Sequence, residues 1–160
     1  ASLSMLVMWL GSVAAAQWRD RRAAALTRAK MRLRSATIDG QRWFWPAGEN
    51  PASRHHEPDD AVRLLAPFDP VVWDRRRLQA LWGWAYRFEA YTPAARRRLG
   101  YYALPLLWRD RVIGWGNLAW RDGRLDAQVG YVAGRAPRDA AFRAALDDEL
   151  QRFSSFMAPR

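Results

Sequence analysis

Arginine carries most of the chemical reach of this chain. Two triplets, Arg75-Arg76-Arg77 and Arg96-Arg97-Arg98, offer planar forks that grip phosphate oxygens in pairs. The second lies between two expected strands, in Thr92-Pro93-Ala94-Ala95 to Leu99-Gly100, where cations reach outward without leaving buried charge. The first opens an expected helix beside Asp69 and Asp74. Cations there oppose the helix dipole, so these arginines answer either to carboxylates or to phosphates. Glu89, in Tyr86-Arg87-Phe88-Glu89-Ala90-Tyr91, is a weak candidate for a catalytic acid or base; the favoured reading pairs it with Arg87 or an arginine of the next strand. Of the ten tryptophans most are expected in the core, and Trp115 and Trp120, on strands beside basic turns, are the ones placed to stack on bases. No Walker lysine motif, nucleophile-elbow serine, zinc-protease helix or cysteine nucleophile is present. Gly114-Trp115-Gly116, inside an expected strand, marks a bulge or a close backbone approach.

The elements that must position these residues fit in 160 residues, enough for one domain or a domain with a small appended module. Half the residues are hydrophobic and 13% aromatic, so the chain can bury a core. The absence of cysteine excludes disulfides and thiolate-bound metal. His55 and His56 are a poor metal pair, so no metal or cofactor is expected, and the expected compartment is the cytoplasm, in association with the nucleoid. With 26 basic residues against 16 acidic ones the net charge is +10, which makes a polyanion the first expected partner. All the basic residues but Lys30 are arginine, which a GC-rich genome would also produce.

The chain opens on alanine, and its apolar stretch from Met5 to Ala16 is too short to span a bilayer. It reads as a buried helix cut into by the start of the chain, which makes these residues the C-terminal piece of something longer. A helix is expected from Gln17 to Arg34, with Trp18, Ala25, Leu26, Ala29 and Leu33 as its apolar stripe and seven basic residues against Asp20 alone. Ser35 to Ile38, Asp39-Gly40 and Gln41 to Trp45 read as a hairpin with a type I′ turn. That order is the order of a winged helix. Pro46 to Ala61 is a linker by composition. Beyond it come a strand from Val62 to Pro67, a helix from Asp69 to Trp82, a strand from Tyr86 to Tyr91, and a meander of Tyr101 to Trp108, Val112 to Trp120 and Arg124 to Val132. Pro105 puts the first meander strand at an edge or a bulge. The last helix starts near Pro137, buries Phe142, Leu146, Leu150, Phe153 and Met157, and carries the pairs Arg143 to Asp147 and Asp148 to Arg152. The expected class is α+β: a winged-helix remnant over residues 1–46, a linker over 47–61, and a β-rich, barrel-like antiparallel domain with a C-terminal helix over 62–160.

The string Pro67-Phe68-Asp69-Pro70-Val71-Val72-Trp73-Asp74-Arg75, continued by Phe88-Glu89-Ala90-Tyr91-Thr92-Pro93 and Gly100-Tyr101-Tyr102-Ala103-Leu104-Pro105, resembles the C-terminal half of the AlkZ/YcaQ type of crosslink-unhooking DNA glycosylases. The resemblance is strongest over residues 62–125, and the Asp39-Gly40 hairpin with Trp43-Phe44-Trp45-Pro46 also fits. It implies tandem winged helices followed by a β-rich domain, acting on alkylated or crosslinked duplex DNA by hydrolysis of the N-glycosidic bond. The family's catalytic triplet, glutamine, an apolar residue, then glutamine or aspartate, belongs to its N-terminal part, so no catalytic residue carries over and these residues alone are expected to be inactive. Where the family's strand reads Gly-Arg-x-Asp-x-Lys, this one has Gly114-Trp115-Gly116-Asn117-Leu118-Ala119. The candidate DNA contacts are Arg21, Arg28, Arg32, Arg42, Arg75, Arg76, Arg96, Arg97 and Arg98, on a protein expected to be monomeric and not membrane-bound. The alternatives are a non-catalytic DNA-binding or regulatory protein on the same scaffold, and a domain whose arginines only solubilise it.

Overall fold

The computed structural model describes residues 24 and 27–159, in two compact units, Ala1–Glu57 and Pro58–Arg160. In the first unit a helix runs through residues 27–31, and β1 (Leu33–Ile38) pairs antiparallel with β2 (Gln41–Pro46). Asp39 and Gly40 both hold positive φ, 50° and 75°, the conformation that a two-residue type I′ turn requires. The helix ends earlier than its charge pattern suggests: Leu33 and Arg34 belong to β1, whose pairing with Trp45 and Pro46 takes their backbone groups from the helix, and residues 17–23 of the expected helix lie outside the described residues. The apolar stretch from Met5 to Ala16 lies outside the described residues.

The second unit is built on a four-stranded antiparallel sheet in the order β3 (Val62–Leu64), β4 (Leu104–Trp108), β5 (Arg111–Arg121) and β6 (Arg124–Tyr131). Asp122 and Gly123, at φ 48° and 75°, close the β5–β6 hairpin on the pattern of the β1–β2 turn. Two helices complete the unit, α1 (Arg75–Trp82) and α2 (Ala140–Met157). Asp139 caps α2 by accepting the N–H of Ala141, so the helix begins three residues beyond Pro137. Phe142, buried on α2, packs edge-on against Trp108 and Tyr131, and joins Val62, Leu64, Leu104 and Leu106 in the main core. A second core of Val72, Leu78 and Tyr86 holds α1 against its flanking loops. Among the described residues no helix is long and apolar enough to cross a membrane.

Several expectations need correction. The helix expected from Asp69 starts at Arg75, because Asp69 folds a tight turn by accepting the N–H of Val71 with its side chain and those of Val72 and Trp73 with its carbonyl. Asp74 then caps α1 through the N–H of Arg77, and Gly83, at φ 66°, ends it. Residues 86–91 form no strand; their alternation of ring and polar side chains finds no partner strand. The first meander strand starts at Leu104 rather than Tyr101. β4 is interior, so Pro105 is not at an edge; the irregularity it needs is a register shift at Leu106/Leu107. Gly114 and Gly130 meet the close approach expected of the Gly114-Trp115-Gly116 segment, since a Cβ on Gly114 would strike the Gly130 carbonyl. On α2, Arg152 pairs with Glu149 rather than Asp148.

Candidate nucleic-acid interface

Two irregular stretches of the second unit, residues 84–93 and 97–103, are stitched together by side chains instead of a ladder of backbone bonds. The central stitch is Glu89, 5% exposed. Its Oε2 accepts the backbone N–H groups of Arg98 and Leu99, each at 2.8 Å, and of Gly100 at 3.3 Å. Burial pushes its carboxyl up, but the three N–H dipoles, with the nearby Arg87 guanidinium, prevail and hold it below the ordinary carboxylate range. Glu89 thus anchors residues 98–100, and among the described residues it forms no ion pair within 4 Å, with Arg87 or any other cation.

Three further bonds fix the same loops. Arg97 donates Nε–H to the Thr92 carbonyl at 2.8 Å and lies 4.8 Å above the Tyr101 ring. Asn117 of β5 donates its amide to the Leu99 carbonyl at 2.7 Å and lies directly under Gly100, whose φ of 123° and lack of Cβ allow that approach. Asn117 is thus engaged in holding the loop. The hydroxyl of Tyr86 donates to the Ala103 carbonyl at 2.8 Å, and burial pushes its phenol up to about 12.

Around this scaffold Phe88 forms a half-buried hub. The rings of Phe68, Tyr91 and Tyr102 meet it edge-on, at 5.9, 6.2 and 5.1 Å. Two outer rings are wide open, Tyr91 at 90% and Phe68 at 73% exposure, and Tyr101 and Tyr102 are exposed as well. Arg87, Arg96 and Arg98, from the same part of the chain, are exposed, and Arg97 is half-buried. The sequence placed Phe68, Tyr91, Tyr101 and Tyr102 in the family string without marking them as a surface.

The other candidates separate. Arg75 and Arg76 are exposed on the first turn of α1, whereas Arg77 is 5% exposed and donates to the Pro70 carbonyl. Burial pushes the Arg77 guanidinium pKa down, opposed by Asp74 and Asp69. Pro67 and Pro105 are buried, and Trp73 is exposed. Trp115 is not a stacking platform: Trp84 lies 6.1 Å from it at 18°, and its ring covers Gly130, its partner on β6. Trp120 is half-buried opposite Leu125. In the first unit Arg28, Arg32 and Arg42 are exposed, and Arg21 lies outside the described residues.

A family model described as DNA glycosylase AlkZ-like matches residues 1–156. No solved structure matches the chain.

Proposed function

We propose, from the premise that this chain belongs to the AlkZ-like DNA glycosylase family, that it is the DNA-binding C-terminal portion of a repair glycosylase acting on alkylated or crosslinked duplexes. The observation that carries this reading is the loop of Arg96, Arg97 and Arg98, whose backbone N–H groups are taken up by the Pro93 carbonyl, the Ala94 carbonyl and Glu89 in turn, while the side chains of Arg96 and Arg98 stay in solvent. Cations on an ordered backbone lose less freedom on meeting a phosphate row than cations on a mobile one. Arg75 and Arg76 on α1 extend the basic surface, and the β1–β2 hairpin, with exposed Arg42, is read as the wing of a winged helix.

Excision needs an extruded nucleotide and a polar group that activates water. The two buried carboxylates among the described residues, Glu89 and Glu149, are both committed to backbone N–H groups. The role assigned to these residues is therefore to hold the duplex, as a monomer on the cytoplasmic nucleoid. Fluorescence anisotropy with a labelled duplex across a salt series tests this. The expected result is a linear fall of log affinity with log salt, with a slope of about 0.9 per phosphate engaged. Affinity no better than that of a charge-matched unrelated protein overturns the reading.

A further inference from the structure

We propose that the aromatic surface around Phe88 binds unpaired nucleotides of single-stranded DNA, with bases stacking on Phe68, Tyr91 and Tyr102 while Arg96, Arg97 and Arg98 hold the adjoining phosphates; this deepens the DNA-binding reading above and rests on it. The rings meet Phe88 edge-on, with interplanar angles of 65° to 88°. None is stacked flat on another, so each outer ring keeps at least one flat face uncovered by a neighbouring ring. Trp115 shows the opposite arrangement, with Trp84 stacked near-parallel to it and Gly130 beneath its ring.

A paired base in a duplex has both faces covered by its neighbours and offers an aromatic side chain nothing to stack on. Bases released from pairing have open faces, and stacking on aromatics tolerates any sequence because every base has a π-face. The same surface places Arg97 over Tyr101 and tethers it to Thr92, next to the exposed Tyr91. Guanidinium groups interleaved with open rings match the alternation of phosphate and base along a single strand. Charge complementarity selects this occupant over an apolar protein segment, since Arg97 lies over Tyr101, Arg87, Arg96 and Arg98 of the same chain segment are exposed, and the carboxylates next to the rings in sequence, Glu89 and Asp69, are engaged by backbone N–H groups.

The test is anisotropy of the full chain with a labelled single strand of about sixteen nucleotides and, at the same salt, the duplex of that sequence. The double variant Phe68→Ala, Tyr91→Ala removes the two most exposed rings. It is expected to weaken single-strand binding about tenfold or more, leave duplex binding and its salt slope unchanged, and keep the wild-type unfolding midpoint. Tyr91→Phe retains the ring and is expected to bind the single strand as wild type does. Unchanged single-strand binding by the double variant, or an equal loss on both probes, overturns the proposal, while the duplex reading, judged on the wild-type chain, stands. Duplex affinity no better than that of the charge-matched control in the wild type, with single-strand binding lost in the double variant, supports it and overturns the duplex reading instead. Failure of the wild type to bind either probe overturns both.

Discussion

Two buried glutamates, Glu89 and Glu149, use the same electrostatics in regions with opposite needs. Glu149 projects from α2, accepts the N–H of Leu64 at 2.7 Å, and pairs with Arg152, which also reaches the Val62 carbonyl at 3.4 Å. Val62 and Leu64 belong to the edge strand β3, so the helix supplies the acceptor that a further strand would have offered. Glu89 has no sheet around it, and its three N–H donors belong to backbone without regular structure. The carboxylate on the sheet finishes an order that the ladder already imposes. The carboxylate in the loop creates the order.

Glu89→Ala tests that difference most severely. It leaves three backbone donors, two of them in short bonds, without their acceptor, and a cost of about 3 kcal/mol or more in denaturant unfolding is expected. Its pH dependence has a defined sign. The folded carboxyl lies below the unfolded one, so its contribution is fully present above about pH 4.5 and is lost as pH falls from there toward the folded value. Glu89→Gln, which keeps an acceptor but not the charge, is expected to cost less than alanine at neutral pH and to flatten that acid limb. Glu149→Ala releases one N–H and an arginine that is already half in water, so about 2 kcal/mol is expected. An equal or larger loss for Glu149→Ala would mean that the loops have another source of order.

The sheet region was the more legible in sequence for the same reason. Asp39-Gly40 and Asp122-Gly123 announce turns whose positive φ values the structure shows, and the face of Phe142, Leu146, Leu150 and Phe153 announces α2. Those signals are local. Where the backbone is held by distant side chains, local pattern misleads: Tyr86 to Tyr91 alternates as a strand does, yet its polar member Glu89 points inward to bind residues 98–100. Two aspartates, Asp69 and Asp74, can each start a helix in sequence, and only the turn taken by Asp69 assigns the cap to Asp74. The two arginine triplets look alike, but three consecutive positions of α1 face different ways and bury Arg77, whereas residues 96–98, which leave a single 3-10 turn, bury none. The family string held most of the residues of the candidate interface, but nothing in it showed that Phe68, Tyr91 and Tyr102 converge on Phe88.

Tyr86→Phe probes the same loops at a single hydrogen bond. It removes the donor to the buried Ala103 carbonyl, and a loss of about 1 kcal/mol is expected at neutral pH. With the folded phenol raised to about 12 and the free one at 10, the contribution of Tyr86 is fully present below about pH 10 and is lost as pH rises through 12. The variant is expected to remove that alkaline fall, which pH-dependent denaturation measures.

Arg96→Ala should have the smallest effect on stability and is the sharpest check on which groups hold the loop. The loop is fixed through its backbone N–H groups by Glu89, through Leu99 by Asn117, and through Thr92 by Arg97; the exposed Arg96 side chain contributes to none of these bonds. A change within about 0.5 kcal/mol is therefore expected in unfolding, as for other surface positions without a structural role. Binding should respond differently, since a cation lost from a phosphate contact reduces the salt slope by about 1. The two readouts together separate order from contact: Glu89→Ala is expected to lower both stability and affinity, and Arg96→Ala affinity alone. A stability loss from Arg96→Ala as large as that from Tyr86→Phe would show that the arginines help build the loop, and the division between a carboxylate that orders and cations that bind would fail.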